Sequence, residues 1–177
     1  MCGFDKNKID RTFVLVYNEI HILNGSGNTN QKRRYCHDTK DEDDLLHEIC
    51  RNASMGVEAI HEVLKDIYDE EFAYELNVQA DKMQQFGRKA GMRLRENGEE
   101  PAEPKPISTA MLKTAIRMKI MVQNKTGDMA DLMYKGNDRG VRELKHAIHK
   151  YKDAGIYATE LAKEMIDFEE ENLQKMR

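Results

Sequence analysis

The chain has 177 residues, 40% of them hydrophobic and 34% charged, with no Trp and three Pro, and its mean hydropathy is −0.78. That mixture suits a single domain of helices, each with one apolar stripe and a solvated opposite face, and excludes an all-β fold. A formal net charge of −4 and a pI near 5.9 argue against a general nucleic-acid binder, which needs a clustered basic surface.

Cys2, Cys36 and Cys50 share no C-x-x-C spacing, so neither a disulfide framework nor a cysteine zinc site is expected, and a reducing, cytoplasmic setting is the natural reading. The dense apolar run Phe13–Tyr17 gives way at once to Asn18, Glu19 and His21. It is too short for a membrane span and has no small-residue cleavage site. No membrane association is expected.

Residues 1–40 differ from the rest. The β-branched and aromatic run over 12–17 reads as a strand or short sticky segment, Asn24–Asn30 has a flexible loop composition, and Lys32–Arg34 is a small basic cluster. With no partner strand on offer, 1–40 is expected to be a poorly ordered arm outside the functional domain.

The helical bundle is expected over 41–177. Thr39-Lys40-Asp41-Glu42 has the form of a capping box, which places a helix start near residue 40. Leu45, Ile49, Ala53, Gly56, Ile60, Val63 and Ile67 then recur at helical steps, and after Tyr68-Asp69-Glu70 a second stripe runs Phe72, Leu76, Ala80, Met83, Gly87, Ala90 and Leu94. Asn97-Gly98 supplies C-terminal capping chemistry and closes a first hairpin over 41–97. All three prolines, Pro101, Pro104 and Pro106, mark a linker over 98–106. A third helix over 107–124 carries Met111, Leu112, Ala115, Ile116, Met118 and Val122, and a break is expected at Asn124–Gly127. The second hairpin, 126–177, holds a fourth helix (Met129, Met133, Gly140, Leu144, Ala147, Ile148, Tyr151) and a fifth after Lys152-Asp153 (Ala158, Leu161, Met165, Phe168). The expected fold is all-α: an antiparallel bundle of four long helices and one shorter helix.

A shift of 84 residues lays Gly56-Val57 on Gly140-Val141, Asp44 on Asp128 and Asp69 on Asp153, with Leu45/Met129, Ile49/Met133, Ile60/Leu144 and Leu64/Ile148 in phase. One more residue of shift brings Glu75-Leu76 onto Glu160-Leu161, Phe72 onto Tyr157 and Met83 onto Phe168. Internal duplication of the hairpin is expected. A mid-helix Gly costs about 1 kcal/mol relative to Ala, so Gly56 and Gly140 on the apolar stripes indicate close helix packing rather than catalysis.

The sequence offers residues for four kinds of chemistry. Dimetal bundles use Glu-x-x-His on two helices with a lone Glu on each of two others, and Glu58-Ala59-Ile60-His61 and Glu143-Leu144-Lys145-His146 have that spacing. Rotation opposes it: with Gly56 as zero the stripe centres near about 30°, whereas Glu58 falls at about 200° and His61 at about 140°. From Gly140, Glu143 falls at about 300° and His146 at about 240°, and the third helix has no carboxylate between Ser108 and Val122. No metal site is therefore expected; iron or manganese on Glu58, His61, Glu143 and His146 is the alternative. His61, His146 and His149 are outward candidates for phosphoryl acceptance, without a neighbouring Gly to admit a partner's active site. Eleven methionines, including Met118/Met121 and Met129/Met133, serve mainly as core, and where exposed would give an adaptable protein-binding face. Cys50 lies at the stripe edge and Cys36-His37 in the arm; a catalytic thiol needs a positioned base and a lowered pKa, and adjacency in sequence supplies neither. Phosphate-loop, nucleophile-elbow and His-Glu-x-x-His motifs are absent from the sequence.

The run Asn52–Ile60, the segment Lys150-Tyr151-Lys152-Asp153-Ala154 and the ending Phe168-Glu169-Glu170-Glu171-Asn172 resemble an uncharacterised family of small helical proteins from Firmicutes, over about residues 42–177. The resemblance implies a bundle ferritin-like in outline, no established activity, and no requirement for His at 61 or 146. The expected function is non-enzymatic: a helical bundle mediating protein–protein contact or self-association, with no cofactor. The alternative is a ferritin-like metal-binding protein or a vestigial di-iron oxidoreductase.

Overall fold

The computed structural model describes the backbone of residues 29–101, 106–122 and 126–176, and the side chains from Lys40 onward except those of 102–108, 119, 121–126 and 177. The chain divides into two units, Met1–Arg34 and Tyr35–Arg177, and the second contains every contact named below. The expected strand over 12–17 and the basic cluster's side chains lie outside the described residues.

Among the described residues there are five α-helices: α1 Thr29–Val63, α2 Glu70–Glu96, α3 Pro106–Val122, α4 Thr126–Lys150 and α5 Ile156–Lys175, with a 3₁₀ turn at Leu64–Asp66 after α1. No strand occurs among the described residues.

The expected start near residue 40 is corrected, because α1 already begins at Thr29 and residues 39–42 lie inside it. Glu42 therefore caps nothing on its own helix. It is buried, accepts Arg93 Nε of α2 at 2.8 Å, and stands beside the first turn of α5, where a Cβ on Gly155 would lie 2.7 Å from its Oε2. A carboxylate at that place also complements the positive end of the α5 dipole.

The α2 ends follow their local chemistry. Asp69 accepts the Phe72 N–H at 3.0 Å as N-cap. At the other end Gly98 adopts φ 88°, and Gly98 N–H and Glu99 N–H bond to Arg95 O and Leu94 O, the paired closure that a left-handed residue after a helix permits.

Side-chain contacts set the bundle order. Cys50 and Gly56 of α1 meet Gly87 and Met83 of α2; Phe86 and Lys89 of α2 meet Phe168 and Glu164 of α5. Gly140 of α4 meets Glu169 of α5 and Asn52 of α1. The ring α1–α2–α5–α4 is thus closed, each neighbouring pair antiparallel. The third helix lies at one end, tied to α1 by Glu58–Lys113 at 2.6 Å and by Glu62–Arg117, two ion pairs one turn apart on each helix.

Two apolar clusters fill the interior. One contains Leu45, Leu46, Ile49, Met83, Phe86, Leu94, Leu144, Leu161 and Met165. The other contains Ile60, Val63, Leu76, Ala80, Met129, Met133 and, from α3, Ile116 and Ile120. Between them the stripes on α2, α4 and α5 pass through Gln79, Asn137, Glu169 and Asn172, all buried.

The stripe expected on α3 needs correction. Ile116 is buried and Leu112 half-buried, but Met111, Ala115 and Met118 are exposed. Only one side of this helix is covered, because α3 lies on the bundle end rather than within the ring.

Candidate functional site

The four residues of the Glu-x-x-His pairs do not converge. Glu58 is half-buried and held by Lys113 of α3; His61 is exposed on the same helix. Glu143 is exposed and accepts Arg139 Nε at 2.8 Å, and His146 is exposed one turn on. Glu58 thus faces α3 rather than open solvent, a contact that rotation about α1 alone could not reveal. Among the described residues no three His, Cys, Asp or Glu side chains gather as a metal site requires.

What the helices do gather is a buried polar level. Asn52 of α1 donates from Nδ2 to Gly140 O of α4 at 3.1 Å. Gln79 of α2 donates from Nε2 to Asn137 Oδ1 of α4 at 3.0 Å. Glu169 of α5 lies against Gly140, whose missing side chain makes the space: a Cβ there would stand 2.8 Å from Glu169 Oε2 and 3.2 Å from Asn52 Oδ1. One turn along this antiparallel pair, Asn137 and Asn172 extend the same polar level. Each of the four ring helices contributes a polar group.

The level is not fully satisfied. Asn137 Nδ2, Glu169 Oε1 and Asn172 Nδ2 are buried without a hydrogen-bond partner. An orphaned buried polar atom costs about 1–3 kcal/mol, so the three at this level oppose the stability that the flanking apolar clusters supply. Glu169 is only 1% exposed. Burial first, and repulsion from Glu143 second, push its carboxyl up from 4.5 to about 8. At neutral pH the group is mainly the uncharged acid.

The sequence signal for this level was a phase coincidence. Asn137 sits four residues after Met133 and three before Gly140; Glu169 and Asn172 continue the α5 stripe from Met165. Stripes counted from apolar residues alone step over these positions.

Glu62 is also a buried carboxylate, and its chemistry is opposite to that of Glu169. It is 2% exposed, accepts Lys65 Nζ at 2.5 Å and pairs with Arg117. The hydrogen bond from Lys65, opposed by burial and aided by Arg117, holds it below the usual carboxylate range. It anchors α3.

Two shallow surface grooves flank α1. One, about 530 Å³, lies against α4 between Glu48, Arg51, Arg142, His146 and Lys150. Its cations are largely spoken for, Arg51 by Glu48 and Arg142 by Asp138. The other, about 510 Å³, runs against α2 over Cys50, Val57, Gly87 and Gly91, with Arg88 and Arg95 at its margin. Cys50 donates to Gly87 O at 3.6 Å, and burial pushes its thiol up to about 11, the condition of an inert thiol. His61, His146 and His149 are all exposed.

The methionines divide sharply. Met129 and Met133 are core residues, whereas Met111 and Met118 are 69% and 65% exposed. With Ala115 they form one outward strip at helical spacing on α3.

No protein-family model matches the chain, and no curated protein or solved structure is similar to it.

Proposed function

We propose that the chain is a non-enzymatic helical-bundle protein that mediates protein–protein contact or self-association through the outward face of α3. The observation that carries this reading is the strip Met111–Ala115–Met118, uncovered on a helix whose other side is fixed by Ile116, Ile120 and the ion pairs to Glu58 and Glu62. Thioethers adapt to varied partner surfaces, and between positions 106 and 122 there is no acidic residue to repel an approaching carboxylate. The reading includes a cytoplasmic setting and an outline like ferritin-type bundles, for which the antiparallel ring is the support. It also includes duplication of the hairpin. Gly56 and Gly140, matched in the repeat, each lie where the following ring helix approaches, against Met83 and Glu169.

Sedimentation over about 1–100 µM, where mass action reveals weak self-association, is the direct test, alongside retention of partners on the immobilised chain. The wild type associates or retains a partner, and Met111→Glu/Met118→Glu does neither while keeping its helicity. A wild type that stays monomeric and retains nothing overturns the reading.

A further inference from the structure

The exposed strip of α3 belongs to the function just proposed, and the two grooves offer no group that commits them to an occupant. The buried level at Gly140 and Glu169 is different. It has an acid, four amides and three unspent hydrogen-bonding atoms in the ring interior, and the association proposed above does not use them. Apolar residues at those positions would continue both clusters without interruption.

We propose that this level is a proton-operated latch: with Glu169 uncharged the α4–α5 hairpin closes on α1 and α2, and ionisation of Glu169 opens the level to water.

The argument rests first on placement. Glu169 sits on α5 at the contact with α4 and α1, so a charge there falls between elements that can separate, rather than on a face that can turn outward. The groups around it supply no compensating cation. The α4 group that acts on it is Glu143, a like charge already engaged by Arg139 at 2.8 Å. The α1 group at the level is the neutral Asn52, and α2 contributes the neutral Gln79. On α5 itself Asn172 is neutral, and Glu170 is tied to Lys145 at 2.5 Å. The groove-lining Glu48, Arg51, Arg142, His146 and Lys150 lie on the outer side of α1 and α4. An ionised Glu169 in the closed level is therefore unpaired, and hydration on opening is its available relief.

The second support is that opening costs less here than elsewhere. Asn137 Nδ2, Asn172 Nδ2 and Glu169 Oε1 gain water partners when the level parts, whereas the flanking clusters gain none. The raised affinity of the Glu169 carboxyl for its proton agrees with this placement. Because the opened state would hold Glu169 at its ordinary value, opening becomes more frequent from mildly acidic pH up to about pH 8 and then levels off.

Amide exchange on the full ¹⁵N-labelled chain, corrected for intrinsic rates, tests this at about pH 5.5 and about pH 8. In the wild type, protection near 137–140 and 169–172 falls at least about tenfold between the two pH values, more than in the flanking clusters. In Glu169→Gln it changes less than about twofold. A ¹³C-carboxyl titration of wild-type Glu169 provides a reading independent of any variant, with a midpoint near 8 expected. A midpoint in the ordinary carboxylate range, a pH-independent wild type, or an equal change in Glu169→Gln overturns the latch.

Discussion

Gly140 and Glu169 share one space: a Cβ on residue 140 would lie 2.8 Å from Glu169 Oε2 and 3.3 Å from Oε1. The small residue on α4 is the condition for the carboxyl on α5, and the pair explains why a helix interior tolerates a glycine there.

Gly140→Ala should therefore destabilise the fold by about 1–3 kcal/mol, the usual range for overpacking, despite the better helix propensity of Ala. Gly136→Ala, one turn away on the same helix with nothing within 4 Å of the added methyl, should stabilise by up to about 1 kcal/mol. Urea midpoints of the two variants measure the contrast. Equal shifts in the same direction would mean that the close approach at Gly140 does not constrain the helix.

Global stability should pass through a maximum in mild acid. Glu62 is held below 4.5 in the fold, so its contribution is present above that value and is lost as pH falls through the lower folded value. Glu169 is raised from 4.5 to about 8, so stability declines as pH rises between those values and is flat above. At about 1.4 kcal/mol per pH unit the second effect is at most about 5 kcal/mol, and less where water enters. Denaturant unfolding from about pH 2 to about pH 9 should show the maximum and the decline above it in the wild type, and the loss of that decline in Glu169→Gln.

Arg93→Met should cost about 1–3 kcal/mol, because it leaves the buried Glu42 carboxylate without its partner. The lower part of that range is expected, since the Arg93 side chain is 36% exposed and solvent screens its charge. Glu42→Gln/Arg93→Met should recover part of the loss. A double variant as unstable as the sum of the singles would show that the two groups act independently.

Cys50 should resist alkylation in the folded chain. A thiol pushed to about 11 and bonded to Gly87 O offers little thiolate at pH 8, about the usual labelling condition. Peptide mass spectrometry after iodoacetamide treatment should find Cys50 modified only after unfolding. Rapid native labelling would contradict the buried placement.

The fold was largely legible because helical phase is written locally. Ile49, Ile60, Met83, Leu94, Leu144 and Met165 were assigned to stripes by spacing, and all are core; the Asn97-Gly98 terminus followed from the left-handed freedom of glycine. The start of α1 was misread for the complementary reason. Thr39–Glu42 satisfies a local pattern, but the Glu42 carboxyl has stronger use against Arg93 and beside Gly155, 51 residues and more away in sequence. The α3 strip was misassigned because all its positions are apolar, and periodicity does not say which side a neighbour covers.

By itself the sequence determined that this chain is helical, where its stripes lie and that its Glu-x-x-His residues fall off them, since these depend on steps of three and four along one chain. Only tertiary structure decided that Gln79, Asn137, Glu169 and Asn172 are all buried and that Met111 and Met118 stay uncovered. A side chain's neighbours on other helices, and hence its burial, charge state and unspent hydrogen bonds, are fixed by how the helices pack, and packing has no local signature.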